Sequence, residues 1–245
     1  MLKNIKLTIS YDGTNYHGWQ KQNDIKTIQS ELEDAIYAIT GEHVELIGSG
    51  RTDANVHALG QVANFKTSSK ILPEKFSRAI NANINSDIRI LKSEEVDLDF
   101  NSRYNSKRKT YLYQIYNSRV LIPFYNLYSY HIPYTLDIEL MDKALRRLEG
   151  EHDFKAFMAA NSEVKSTVRS IYNTSIKNEN NLIKIEITGN GFLYNMVRII
   201  AGTVIEIGNG KRNISSIEEA IITGQRSLLG HTAKPQGLFL KNVEY

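Results

Sequence analysis

The apolar residues of this chain repeat one order of strands and helices twice, and this repeat limits the possible folds more than any single motif. In the first half, Ile5, Leu7 and Ile9 alternate as on one face of a strand, and apolar residues from Ile28 to Ile39 recur with helical spacing. The predicted elements are a strand within 4–13, a helix through 28–39, strands at 44–47 and 61–65, a helix from Pro73 to about 83 and a strand at 88–96.

The second half gives the same order again, β-α-β-β-α-β. Its predicted elements are a strand at 109–116 with Tyr111 and Tyr113 on one face, a helix through 141–148 ended by Gly150, a hairpin of 170–177 and 182–188, a helix at 192–207 ended by Gly208, a short helix that Ser215 and Glu218 open at capping-box spacing, and a strand at 237–245. This order is typical of the ferredoxin-like (split βαβ) arrangement. We therefore predict an α+β protein of two ferredoxin-like modules, 1–106 and 107–245, whose antiparallel sheets form a central cleft.

The composition excludes several kinds of chemistry. The 245 residues include no cysteine, so disulfides, thiol catalysis and thiolate metal sites are excluded. The six histidines have no metal-ligand spacing, and no phosphate-binding loop motif occurs. The N-terminus lacks the apolar run of a signal peptide, and the apolar segment 196–207 carries Arg198 and Glu206, which disfavours a membrane span. These features predict a cytoplasmic protein with no membrane segment and no metal.

A basic, tyrosine-rich window contrasts with the net charge of only +3. Residues 100–136 contain no Asp or Glu, and they hold eight of the 14 tyrosines. The cations of this window are Arg103, Lys107, Arg108, Lys109 and Arg119. Cations attract phosphates and aromatic rings stack on exposed bases, which indicates RNA binding. A tyrosine-rich strand beside a solvated basic turn explains the same pattern equally well.

The stretch GSGRTDANVHA, residues 48–58, places Arg51 and Asp53 after two glycines. A carboxylate acts as a nucleophile or general base without a cofactor, and the neighbouring cation favours its charged form. Considered alone, Asp53 fits the role of a turn residue paired with Arg51 better, because Asp is common in turns.

Arg198 is unusual because it lies in an otherwise apolar helical segment, NMVRIIAGTV. A charge in such a place needs a partner or a position at the rim. A carboxylate of the first module, such as Asp53, would provide that partner. The alternative is that the long side chain reaches solvent.

Five blocks of the sequence, in order along the whole chain, resemble the tRNA pseudouridine synthase A family. They are YDGTNYHGWQ at 11–20, GRTDANVHALGQVANF at 50–65, FNSRYNSKRKTYLYQIYN at 100–117, GFLYNMVRIIAGTV at 191–204 and GLFLKNVEY at 237–245. The resemblance implies isomerisation of uridine to pseudouridine at positions 38 to 40 in the anticodon arm of tRNA. It also implies a homodimer that binds tRNA across both subunits and needs no metal or organic cofactor.

The resemblance also implies roles for four residues. Asp53 matches the catalytic aspartate, and Tyr111 is similar to the tyrosine that stacks on the target uracil. Arg51 looks like the arginine that helps hold the flipped nucleotide, and Arg198 matches the arginine that pairs with the catalytic carboxylate. Together with Arg51 and Tyr111, we expect four residues of the basic window to bind the substrate: Arg103, Lys107, Arg108 and Lys109.

One departure from the family pattern carries a structural expectation. The family usually has glycine where this chain has Asn55, and Asn tolerates left-handed φ better than other non-glycine residues. We therefore expect a positive φ at Asn55. Two other functions stay open on the sequence: a non-catalytic RNA-binding protein of the same architecture, and a pseudouridine synthase that acts on another uridine or another RNA.

Overall fold

The chain divides into two α+β units in the computed structural model, which describes residues 1–159 and 164–245. Unit 1 contains Met1–Lys107 and Phe239–Tyr245, and unit 2 contains Arg108–Leu238. Both units combine helices with a mostly antiparallel sheet. The predicted α+β class is confirmed.

The secondary structure follows the predicted order with a few additions. The strands are β1 Lys3–Tyr11, β2 Ile47–Gly48, β3 His57–Thr67, β4 Ile88–Val96, β5 Arg108–Asn117, β6 Tyr130–Ile132, β7 Gly150–Asp153, β8 Val168–Glu179, β9 Leu182–Gly189 and β10 Leu238–Glu244. The helices are α1 Ile28–Thr40, α2 Phe76–Asn81, α3 Ile138–Arg146, α4 Met196–Gly208 and α5 Ser216–Thr223. The short strands β6 and β7 were not predicted.

The sheet of unit 1 has the strand order β4-β1-β3-β10, and β2 pairs with β3. Strands β1, β3 and β4 are antiparallel, whereas β10 runs parallel to β3. The predicted face of β1 is fully buried at Ile5, Leu7 and Ile9. Burial of each such side chain stabilises the fold by about 1.5–3 kcal/mol. Phe65 of β3 contacts Phe76 of α2 edge to face, with ring centroids 5.5 Å apart.

The sheet of unit 2 has the antiparallel order β5-β9-β8-β7, and β6 runs parallel to β5. The predicted hairpin of β8 and β9 is confirmed. Asn180 and Asn181 connect these strands at φ 53° and 69°, as a two-residue hairpin turn requires. Helix α4 is apolar on nearly every side and almost wholly buried, so it forms the centre of the unit 2 core.

The predicted starts of one strand and one helix are wrong. Strand β2 covers Ile47–Gly48 rather than 44–47, because side chains of α1 bind the backbone of Leu46: Glu33 accepts its N–H and Gln29 donates to its carbonyl. Helix α4 begins at Met196 rather than at Phe192, because Asn195 has a left-handed φ of 60° and interrupts the helical backbone.

Two helix ends also differ from the prediction. The capping box predicted at Ser215 is wrong: Ser215 has helical backbone angles and makes no cap, and its hydroxyl donates instead to Glu219 at 2.9 Å. The helix predicted from Pro73 begins with a 3₁₀ turn at Pro73–Lys75 before α2. Such 3₁₀ turns are common at helix termini.

The final strand lies in unit 1, although the sequence pattern assigned it to the second module. Phe239 and Leu240 of β10 pair with His57 and Ala58 of β3. The Phe239 ring stacks on His57 with centroids 4.7 Å apart. The hydroxyl of Tyr245 donates to the Ser102 carbonyl at 2.8 Å. The chain therefore returns to its first unit at its end.

Candidate active site

Arg51 and Asp53 lie on the loop between β2 and β3, and we call residues 49–56 the Asp53 loop. Thr52 is buried, whereas Arg51 is exposed and Asp53 is half-buried. This alternation is typical of extended backbone, in which successive side chains point to opposite sides. Backbone bonds hold both ends of the loop: Ser49 N–H donates to Val62 at 2.8 Å, and Val56 N–H donates to the Asp53 carbonyl at 3.2 Å.

The first of the five sequence blocks, at 11–20, holds this loop. Trp19 N–H donates to the Thr52 carbonyl at 3.0 Å, and the hydroxyls of Tyr11 and Thr52 share a buried hydrogen bond of 2.7 Å. Asn55 N–H donates to the Tyr16 carbonyl at 3.3 Å. Thr52, between Arg51 and Asp53, is thus held by hydrogen bonds to both its carbonyl and its side chain.

Tyr16 anchors the block itself. Its hydroxyl donates to Asp87 Oδ1 at 2.7 Å. Burial, and then the hydrogen bond to Asp87, raise the pKa of Tyr16 well above its ordinary value. The phenol therefore remains a neutral donor at all ordinary pH values.

Two glycines allow the block and the loop to approach closely. Gly18 has a φ of +88°, and a Cβ atom there would lie 2.4 Å from the Thr52 carbonyl oxygen. At Gly13, a Cβ atom would lie 2.0 Å from the carbonyl oxygen of Val56. Backbone meets backbone at both points, so no side-chain rotation relieves the clash. Only glycine fits either position without displacement of the loop.

His57 follows the Asp53 loop as the first residue of β3, and the sequence analysis gave it no role. It is 1% exposed, and its Nδ1 accepts the N–H of Gly13 at 3.0 Å. Asp12 Oδ1 lies 3.1 Å from the same nitrogen. The sequence did hint that His57 matters, because Asp12, Gly13 and His57 lie within two of the blocks that resemble the family. A local pattern does not reveal that these two blocks meet.

The expectation for Asn55 is confirmed, since its φ is 61°. We expect Asn55→Gly to keep activity, and Asn55→Val to lose about 1–2 kcal/mol of stability through left-handed strain and to lower activity by displacement of the Asp53 loop. Asn181→Val is the matched control, because Asn181 has a φ of 69° in the β8–β9 hairpin. Thermal unfolding and a pseudouridine assay on all three variants check this. Equal activity of Asn55→Val and the wild type would contradict it.

Tyr111 lies on β5 of unit 2 and is 8% exposed. It pairs with Ile187 of β9, and its ring meets that of Phe192 edge to face, with centroids 5.1 Å apart. Edge-to-face contacts of this kind fix ring orientation. Phe192 was predicted as the start of a helix, but it lies in the loop before α4.

Arg198 lies in the third position of α4 and is half-buried. Its Nε donates to the carbonyl of Ala233 at 2.8 Å, and its Nη1 donates to Asn195 Oδ1 at 2.7 Å. The charge thus has polar partners within unit 2, and these bonds fix the plane of the guanidinium. The pairing with Asp53 that the resemblance implies stays a prediction.

The basic window is divided between the units. Arg103 and Lys107 belong to unit 1, and Arg108 and Lys109 begin unit 2. Arg103, Lys107 and Arg108 are exposed, and Lys109 is half-buried. The Arg108 guanidinium lies 5.2 Å from the centre of the Tyr172 ring, a cation–π distance.

The tyrosines of the window differ in exposure. Tyr111, Tyr113 and Tyr116 are buried on β5, Tyr125 and Tyr130 are half-buried, and Tyr104, Tyr128 and Tyr134 are exposed. Burial raises the pKa of Tyr113 well above its ordinary value, and its hydroxyl donates to the Lys234 carbonyl at 2.7 Å. The window therefore contributes some tyrosines to the core and others to the surface. The first group fits the interpretation as a tyrosine-rich strand, and the second fits the interpretation as an RNA-binding surface.

Within residues 1–159 and 164–245, no three His, Asp or Glu side chains are grouped so that they could hold a metal ion. No helix in these ranges has the length and apolarity needed to cross a membrane.

Known proteins align with this chain over its whole length. The family model for tRNA pseudouridine synthase matches residues 7–105 and 144–245. The tRNA pseudouridine synthase A of Caldicellulosiruptor bescii is 50% identical over 244 residues, and that of Acetivibrio thermocellus is 49% identical over 244 residues; each alignment covers 100% of both chains. A solved Cbf5-Nop10-Gar1 complex is a distant likeness, with 12% identity and a TM-score of 0.36 over 82% of this chain and 54% of that one. The chain therefore belongs to the tRNA pseudouridine synthase A family, whose reaction is the isomerisation of uridine to pseudouridine.

Proposed function

We propose that this protein isomerises uridine to pseudouridine at positions 38, 39 and 40 in the anticodon arm of tRNA, with Asp53 as its catalytic carboxylate. The observation that carries the proposal is the Asp53 loop. Its backbone is tied by Trp19 and Gln61, and the Thr52 side chain by Tyr11, while Arg51 stays exposed and Asp53 half-buried. A reactive group needs such a fixed backbone with access to substrate.

The proposed reaction needs no group beyond the side chains of this chain. The Asp53 carboxylate adds to the nucleoside at C1′ or at C6, and the bond between N1 and C1′ breaks. The uracil turns, C5 forms the new bond to C1′, and the bond between Asp53 and the nucleoside breaks, which frees the carboxylate. The proton on C5 is lost and N1 gains one, so substrate and product are isomers.

Three other side chains support these steps in the proposal. Tyr111 stacks on the target uracil and keeps the loose base in place, and its own orientation is fixed by Phe192. Arg51 holds the nucleotide after extrusion, which is required because a stacked base is out of reach. Arg198 pairs with the catalytic carboxylate and keeps it ionised.

We also propose that the basic window contacts tRNA phosphates through Arg103, Lys107, Arg108 and Lys109. Arg103, Lys107 and Arg108 are exposed, and no carboxylate occurs from residue 100 to residue 136 to compete for them. When such cations bind RNA phosphates, the counterions condensed on the RNA are released, which makes the affinity depend on salt.

Replacement of Lys107, Arg108 and Lys109 by alanine is expected to weaken tRNA binding. The log–log slope of affinity against salt should become shallower by about 0.7–0.9 for each lost phosphate contact. The matched control replaces three exposed lysines elsewhere in unit 1, Lys66, Lys70 and Lys75, and so removes the same charge. Filter binding at several salt concentrations measures both triple variants. An equal loss in the control would show that net charge, and not this window, governs binding.

The homodimer and the cytoplasmic location implied by the resemblance belong to the same proposal. Exposed apolar side chains between β5 and β6 favour an interface: Val120, Ile122, Phe124 and Leu127, of which Phe124 is 87% exposed. Isolated exposed apolar residues are ordinary, but a group of this size is typical of interaction surfaces. Sedimentation of the purified chain measures the oligomeric state directly.

The function is tested on an unmodified tRNA transcript with uridines at positions 38, 39 and 40. The purified chain, with no cofactor added, is expected to form pseudouridine at these positions, as mapped chemically. A transcript with cytidine at the three positions is the control. Pseudouridine at another uridine would favour a different target site. Tight binding without any pseudouridine would favour the non-catalytic RNA-binding function.

A further inference from the structure

Residues 229–234, which we call the 229–234 segment, pack against helix α4 and hold the side chain of Arg198. Ala233 is joined to Arg198 twice: its carbonyl accepts Arg198 Nε at 2.8 Å, and its N–H donates to the Arg198 carbonyl at 3.0 Å. The orientation of the guanidinium therefore depends on where Ala233 lies.

Glu206, two turns further along α4, fixes the other end of the same segment. Its Oε1 accepts the backbone N–H of His231 at 3.0 Å and lies 2.9 Å from His231 Nδ1. Its Oε2 accepts from Arg212 at 3.1 Å. Burial alone would raise the pKa of Glu206, but the hydrogen bonds from His231 and Arg212 outweigh burial and hold this pKa below its ordinary value. The carboxylate is therefore ionised at neutral pH.

Between these two anchors the 229–234 segment lies directly against α4. A Cβ atom on Gly202 would lie 1.8 Å from the carbonyl oxygen of His231. Gly230 N–H donates to the Thr203 hydroxyl at 3.0 Å, in a buried bond. Close packing transmits displacement, because a dense interior has little room for relaxation. A shift at His231 therefore reaches Ala233, two residues away.

We propose that Glu206 is a positioning residue for Arg198, acting through His231 and Ala233. The two residues lie about 12 Å apart along the helix axis, and the hydrogen bonds of Glu206 reach Arg198 through the segment. This inference rests on the proposed function, in which Arg198 takes part in the reaction.

The direct test is the hydrogen bond of Arg198 itself. In proton–nitrogen NMR spectra of the full chain, the Nε–H signal of Arg198 is assigned by its loss in Arg198→Lys. Glu206→Ala is expected to shift this signal and to speed its exchange with water. Arg212→Met is the matched control, because it removes the other partner of the carboxylate and a 2.6 Å bond to the Leu228 carbonyl but leaves the contact of Glu206 with His231. In this control the signal should stay unchanged.

The functional test measures the single-turnover rate on tRNA beside the tRNA dissociation constant. Glu206→Ala is expected to lower the rate by about ten- to a hundredfold, as small misplacements of catalytic groups do, with unchanged tRNA binding. Glu206→Gln keeps an oxygen that accepts the His231 N–H, and should restore most of the rate. In an Arg198→Lys background, Glu206→Ala should cause no further loss.

If Glu206→Ala does not fold, Thr203→Val tests the same segment through its bond to Gly230, with the same expected results. The inference is overturned if the Arg198 signal is unchanged in Glu206→Ala. It is also overturned if Glu206→Ala slows the reaction equally in the Arg198→Lys background. An Arg198→Lys protein as fast as the wild type would remove the role of Arg198 and the inference with it. An inactive wild type would overturn the proposed function itself.

Discussion

Asp53→Asn is expected to abolish pseudouridine formation while the protein still folds and binds tRNA. Asparagine has nearly the size of aspartate and suits turns equally well, and the loop bond at this residue uses the backbone carbonyl that accepts Val56 N–H. An amide is a far poorer nucleophile and base than a carboxylate. The single-turnover rate should therefore fall by about 10⁴ or more, as in enzymes that lose their nucleophile.

The matched control for this prediction is Asp34→Asn. Asp34 is an exposed acid on α1 of the same unit, outside the Asp53 loop. It should leave the rate, the melting temperature and tRNA binding unchanged. A folded Asp53→Asn protein with near-normal turnover would contradict the assignment and return Asp53 to the role of a turn residue.

Gly13→Ala is expected to cause the second largest loss of activity, although Gly13 bears no reactive group. The added Cβ would lie 2.0 Å from the Val56 carbonyl oxygen, so the 11–20 block and the Asp53 loop must move apart. Overpacking of this kind costs about 1–3 kcal/mol of stability. A displacement of about 1 Å at a catalytic loop costs about a hundredfold in rate. Thermal unfolding and the single-turnover rate measure the two effects.

Gly41→Ala separates backbone strain from loop displacement. Gly41 ends α1 with a φ of 72°, and nothing lies within 4 Å of a Cβ atom built on it. This variant should lose about 1 kcal/mol of stability from left-handed strain and keep its rate. If Gly13→Ala loses stability but keeps full activity, the close contact with the loop is structural only.

Much of the fold could be predicted from the sequence, because it depends on local patterns. The alternation of Ile5, Leu7 and Ile9 gave β1 its buried face, and β4 begins and ends where its pattern does, at Ile88–Val96. The hairpin turn at Asn180 and Asn181 also follows from local chemistry, because Asn tolerates positive φ. The same preference made the backbone of Asn55 predictable.

Where another hydrogen-bond partner competed with the local pattern, the prediction failed. Leu46 reads as strand, but Glu33 and Gln29 of α1 bind its backbone. Ser215 and Glu218 have capping-box spacing, yet the Ser215 hydroxyl binds Glu219. Strand β10 has a clear pattern, but a pattern does not name the strand with which it pairs.

The sequence by itself determined the residue types of the candidate site, the family and the left-handed turn at Asn55. Only the tertiary structure decided what holds those residues: Gly13 and Gly18 against the Asp53 loop, and Glu206 and His231 behind Arg198. The physical reason is range. Backbone preference and side-chain periodicity act over a few residues, whereas these contacts join residues that are 25 to 44 positions apart, such as Glu206 with His231 and Gly13 with His57. Such pairs meet only after the chain has folded.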